Sequence, residues 1–190
     1  MSELDSAQVL NILHSRLPDT LLKCYGLSAA QTTNVSNIGD ILPQLIAFEG
    51  DRFFSAGNIR VARELSDAGV KVHMYHFDRG NPFPGPLHGR PHHAVDVEYM
   101  FGTFLEAFPD KKDVDLSKGI MRFWIEFANG KDPWKDYQSG NALHITPGAE
   151  FNVIAREQIE SRRWEAYAEM EKNWIQLKEA AELIHMAKRA

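Results

Sequence analysis

Five histidines, His73, His76, His88, His92 and His93, crowd positions 73 to 93, with Asp78 among them and Asp96 just beyond. A neutral imidazole can take a proton from a reacting hydroxyl or bind a transition metal, so general-base and metal chemistry are the two candidates for this stretch. Two imidazoles and a carboxylate would hold zinc and leave one position for water. The spacings match no standard ligand pattern, however, and His73 and His76 fall on opposite faces of an expected strand. The sequence therefore predicts no metal site and calls for no cofactor.

Cys24 is the only cysteine, which excludes an intrachain disulfide and any four-thiolate zinc site. A formal charge of −5 over 190 residues supplies no positive field for a polyanion, so nucleic acid is not an expected partner. No uncharged apolar stretch approaches the ~20 residues of a membrane-spanning helix. The acidic start, Met1 to Asp5, lacks the features of a secretory signal, and the expected location of the chain as given is the cytoplasm.

The elements that must hold the histidines follow from apolar spacing. Residues 6 to 26 read as two short helices punctuated by Pro18 and Gly26, and 28 to 34 as a polar linker. Ser36 is the expected cap of a helix bearing Ile38, Ile41, Leu42, Leu45, Ile46 and Phe48, kinked or delayed at Pro43. A helix from Asp51 should stop at Gly69 and hand over to a β-branched, aromatic strand, Val70 to Phe77. That step is half of a parallel α/β unit, and the breaker-rich stretch 78 to 92 after it is a long loop. Loops of this kind carry chemistry because the strand holds them while their sequence stays free.

Downstream, Val97, Met100, Phe101, Phe104 and Leu105 predict one helical stripe, and Leu116, Ile120, Phe123, Trp124 and Phe127 another. Leu143 to Ile145 is a short strand candidate. The charged tail from about 154 to 187 predicts helix, with Ile159, Trp164, Tyr167, Trp174, Leu177, Ala181 and Ile184 on one face. An aromatic stripe of this kind is read as core packing before it is read as a docking surface.

The run His93-Ala94-Val95-Asp96-Val97-Glu98-Tyr99-Met100-Phe101-Gly102 resembles a signature of the type-B carboxylesterase and cholinesterase-like family: histidine, small residue, any residue, acid, alternating apolar residues and Phe-Gly. Three more matches occur in family order. They are Asp51 with Phe53-Phe54, then Tyr75 and Phe77 with Asn81-Pro82-Phe83, then Trp124, Phe127-Ala128, Gly130, Pro133 and Trp134 to Tyr137. Together they cover roughly residues 10 to 150, and the Asn-Pro-Phe variant resembles the fungal branch.

The resemblance implies the carboxyl-terminal part of an α/β-hydrolase fold, an α/β class fold that is mostly helical with one central strand and short edge strands. It implies a single partial domain over 1–190 with 154–190 as a terminal helical segment. The implied reaction is hydrolysis of a small-molecule carboxylic ester through a Ser-His-acid triad, with His93 as the base. His93 is preferred to His92 because it alone has Ala94 after it and Asp96 three residues on.

The departures are as specific. The family's nucleophile sits in a Gly-x-Ser-x-Gly elbow, and no serine of these 190 residues has glycines at both required positions. The oxyanion glycines and the triad acid have no match either. Glu49-Gly50 superficially fits the acid, but Asp51 and Phe53-Phe54 match a motif that follows it, so Glu49 is expected to be a surface residue. The chain is expected to be inactive alone, to need an amino-terminal region for catalysis, and to invite self-association through open strand edges. The alternative is a non-catalytic truncated esterase acting as a binding or complementing subunit.

Overall fold

The computed structural model describes residues 6–160 and 164–187, so the acidic start, Met1 to Asp5, lies outside the described residues. It divides into two compact units: residues 1–61 with 160–190, and residues 62–159.

The first unit is helical. Helices α1 (Ser6–Arg16) and α2 (Asp19–Lys23) occupy the two positions expected around Pro18. Pro18 is the residue before α2, with extended backbone at φ −67° and ψ 143°, where a missing N–H costs nothing. The expected helix from Ser36 is built differently. A 3-10 turn, Ile38–Ile41, is capped by Asn37 in a capping box with Asp40, and Ser36 instead donates to the Asp40 carboxylate. Helix α3 (Leu42–Gly50) then starts with Pro43 in its first turn, so Pro43 begins the helix and does not kink it.

A π-helical turn, Asp51–Ser55, leads into α4 (Ala56–Asp67), which ends before Gly69 at φ +80° as its pattern predicts. Ser28 and Thr32, expected to be linker residues, are buried and hydrogen-bonded to Gln31 Oε1 and the Ser28 carbonyl respectively.

The tail folds as α7 (Glu157–Glu160), α8 (Trp164–Lys172) and α9 (Trp174–Ala187). Its buried stripe is Ala166, Met170, Leu177 and Ala180, packed with Leu13, Leu21, Leu22, Leu27 and Phe48. Trp174 is 47% exposed, so the expected face is rotated; the Trp164 side chain lies outside the described residues. The rotation has a local cause. Asn173 interrupts the helix, its side chain donating to the Glu169 carbonyl at 2.8 Å, which breaks the single periodicity assumed for 154–187. Each fully buried leucine of this core contributes roughly 1.5–3 kcal/mol.

The second unit carries the sheet. Strand β1 (Tyr75–Phe77) pairs in parallel with β2 (Asn141–Ile145), which pairs antiparallel with β3 (Phe151–Ala155). β1 is shorter than the expected Val70 to Phe77. Upstream of it the Val72 carbonyl accepts from the Tyr137 N–H, outside the sheet, while the Met74 carbonyl accepts from Leu143 of β2 and from the Trp134 indole. β3 was not expected. It returns from β2 through a turn with Ala149 at φ +65°.

Helices α5 (Val95–Met100) and α6 (Lys111–Ala128) join one face of this sheet in a core of Val95, Tyr99, Leu116, Ile120, Leu143 and Ile145. Gly119 permits the close approach: a Cβ there would lie 2.5 Å from the Phe151 ring. The stripe expected to run to Leu105 ends at Met100, because Gly102 adopts φ +67° and Phe101 to Ala107 form turns. Among the described residues no helix is long and apolar enough to cross a membrane.

Candidate active site

His93 lies where the loop after β1 turns into α5 and is exposed. Its backbone is set by two neighbours. Ala94 adopts the left-handed conformation at φ 67° and ψ 7°, which costs any residue with a Cβ ~1–2 kcal/mol and is least tolerated by β-branched side chains, so a small residue after the histidine suits the backbone. His92 Nδ1 lies 2.9 Å from the His93 carbonyl oxygen. A carbonyl only accepts, so Nδ1 donates; the Nε2 atom of His92 is buried, with no hydrogen-bond partner among the described residues. His92 braces the main chain of His93, which is an exposed residue.

The acid of the signature has a structural job. Asp96 Oδ2 accepts the Tyr75 hydroxyl at 2.6 Å, which fastens the first turn of α5 to β1. Burial first, and the Asp96 carboxylate second, push the Tyr75 phenol far above its ordinary range, so it stays protonated and donating.

Both ends of the loop are held by a second network. Arg79, two residues after β1, grips Asp113 with Nε at 2.8 Å and Nη2 at 2.9 Å, and donates from Nη1 to the Pro147 carbonyl. Tyr99 of α5 donates to the same Asp113 carboxylate at 2.8 Å. Ser117 of α6 in turn donates to the Tyr99 carbonyl at 2.7 Å. Asp113 is fully buried, and its hydrogen bond first, then its charge, hold the Arg79 guanidinium protonated beyond any accessible pH.

Between these anchors the loop closes on itself. Asn81 N–H donates to the Arg90 carbonyl and Gly89 N–H to the Asn81 carbonyl, while Asn81 Oδ1 accepts from Phe83 N–H. Gly80 lies so near Gly89 that a Cβ would come within 2.4 Å of its backbone. The motif Asn81-Pro82-Phe83 is therefore a turn, with Phe83 stacked on Phe108 at 5.5 Å.

The other histidines divide. His73 is buried against Phe127 and Trp134 and reaches Asp132 at 3.3 Å. His88 makes the loop's bridge to Asn81. His76 stands beside His144 on the sheet. Glu49, in the first unit, has its carboxylate bound by Arg52 one turn on, as suits the surface role expected of it. Asp51, matched only as a motif residue, is buried and accepts the Tyr25 hydroxyl at 2.8 Å. Arg79, Asp113 and His144 had no signal in sequence: Asp113 reads as an ordinary acid in a helix's first turn, where the dipole favours it anyway.

A strand, a pinned loop and an exposed histidine ahead of a short helix fit part of an α/β-hydrolase fold, and the chain belongs to the carboxylesterase family, whose model matches residues 4–189. Among curated proteins it is 34% identical over 95 residues to liver carboxylesterase 1F of Rattus norvegicus, covering 47% of this chain and 17% of that protein. It is 28% identical over 142 residues to liver carboxylesterase 1 of Mus musculus, covering 68% and 24%. With carboxylesterase 1D of Mus musculus the figures are 24% over 150 residues, 73% and 26%. The chain thus spans about a sixth to a quarter of the length of these relatives. They are rodent proteins and lend no support to the fungal-branch expectation.

Proposed function

We propose that this chain supplies the general base, His93, of a Ser-His-acid carboxylic-ester hydrolase, and that the nucleophile, acid and oxyanion donors come from outside these 190 residues. The observation that carries the reading is the setting of His93, exposed on a main chain braced by His92 and Ala94 between two anchored ends. In this role the ring takes the proton of a serine hydroxyl as it attacks the ester carbonyl and returns it to the leaving alcohol. Both units belong to one partial domain in this reading, since a single family model runs through them.

Alone, the chain hydrolyses no ester at a useful rate. A placed general base contributes ~10²- to 10⁴-fold, whereas enzymes reach ~10⁶-fold and beyond by adding nucleophile and oxyanion stabilisation. The test is hydrolysis of a short-chain aryl ester by the purified chain beside His93→Ala. Equal, background rates are expected; hydrolysis that disappears in the variant would show a complete catalytic set within these residues.

A second reading, a non-catalytic chain that complements another part of a carboxylesterase domain, draws on the first unit. An apolar groove of about 1130 Å³ opens there between Val9, Leu42, Ile46, Phe53 and Trp174. Ile46 and Phe53 are 63% and 62% exposed, so the groove has apolar surface to bury. Under this reading a complemented assembly is indifferent to His93→Ala.

A further inference from the structure

The face of the sheet opposite α5 and α6 gathers three groups of a different chemistry. In β1 the side chains of Tyr75 and Phe77 join the core, with Tyr75 against Trp124 and Phe77 against Tyr99. The alternation of a strand sends His76 the other way, and Asp78, two residues on, follows it. Asp78 still belongs to the ladder, since its N–H donates to the Ile145 carbonyl at 2.8 Å. His144 is the register partner of His76 in β2, so it shares that face.

Their ligand atoms converge. His144 Nε2 lies 3.4 Å from Asp78 Oδ2, the two imidazole rings are 5.5 Å apart, and one donor atom from each of the three lies within 4.8 Å of the others. Zinc bonds of ~2.0–2.2 Å to nitrogen and oxygen set tetrahedral ligands roughly 3.3–3.5 Å apart. The His144–Asp78 pair already has that spacing, and a side-chain turn of His76 supplies the rest. Side-chain exposures of 22% for His144 and 30% for Asp78 leave the triad half-buried but reachable from solution.

We propose that His76, Asp78 and His144 form a binding site for one zinc ion. Two neutral imidazoles and one carboxylate are a zinc ligand set, since calcium and magnesium take oxygen ligands almost exclusively. Three protein ligands leave a fourth position for exchangeable water. The site is independent of the esterase reading: none of the three residues belongs to the motif around His93.

The test is zinc titration of the metal-stripped 190-residue chain against a chromogenic chelator. One zinc per chain is expected, weakened on the order of tenfold or more in Asp78→Asn and His144→Ala and unchanged in His185→Gln. Bound zinc should also raise the melting temperature of the parent and not of the two variants. Failure of the chain to compete for zinc, or zinc binding that survives both substitutions, overturns the site. Cobalt added to the unsubstituted chain gives a readout that needs no variant to fold. Strong visible absorption from a tetrahedral ion is expected, and the weak spectrum of a six-coordinate ion contradicts the proposal.

Discussion

Asp113 shows how a residue with no part in the chemistry can decide whether the chemistry is held in place. It is a fully buried carboxylate that takes two hydrogen bonds from Arg79 and one from Tyr99, and so joins the start of the loop to the helix at its end. Asp113→Ala leaves a guanidinium and a phenol without their acceptor, and the expected loss is ~3–5 kcal/mol of unfolding free energy. Denaturant melts of the variant check it; a loss below ~1 kcal/mol would show that the network is ornamental to stability. At this scale the motif residues were legible and their partners were not. His93 and Ala94 announce themselves by adjacency, but Arg79 and Asp113 are 34 positions apart and meet only in the folded chain.

Elements were read well where one period runs unbroken and poorly where a single residue redirects it. Helix α6 runs through the whole of its expected stripe, Leu116 to Phe127, and ends at Ala128. Strand β3 was missed because Phe151 to Ala155 has no long alternating pattern, although Pro147-Gly148 ahead of it is a turn dipeptide and the turn sets Ala149 at positive φ. Asn173 hid the true face of the tail for the same reason.

The loop after β1 was recognised from its breakers, but its closure on Gly80 was not. Gly80→Ala would drive a methyl group into the Gly89 backbone, and a cost of ~1–3 kcal/mol is expected. In Gly57→Ala, by contrast, the new methyl meets nothing within 4 Å in α4, and a gain of ~0.4–1 kcal/mol is expected. Thermal melts of the pair check both signs, and equal melting temperatures would contradict the packing of the loop.

For the whole molecule, acid is the stress that the structure is built to feel. Backbone N–H groups of Ser36 and Asn37 hold the Asp40 carboxyl below its ordinary 3.8, and the Lys71 ammonium does the same for Asp132. The Thr20 hydroxyl and then Lys172 hold Glu169 below its ordinary 4.5. A folded-state value below the unfolded one stabilises the fold above the ordinary carboxyl range, and that stability is lost as pH falls through the depressed values. The melting temperature should therefore fall between pH 6 and pH 3, and a flat profile would contradict these contacts. Asp40 and Asp132 are exposed and Glu169 is half-buried, so the change should be gradual.

The family was legible because four motifs kept their order across the chain, and one family model now spans both units. The central claim, that His93 is a working base, is tested most directly in a chimaera: a family carboxylesterase whose matching segment is replaced by residues 4–189 of this chain. Hydrolysis of a short-chain aryl ester is predicted, falling by on the order of 10⁴-fold or more in His93→Ala, while His92→Ala stays within about tenfold. An active chimaera that tolerates His93→Ala would contradict the account.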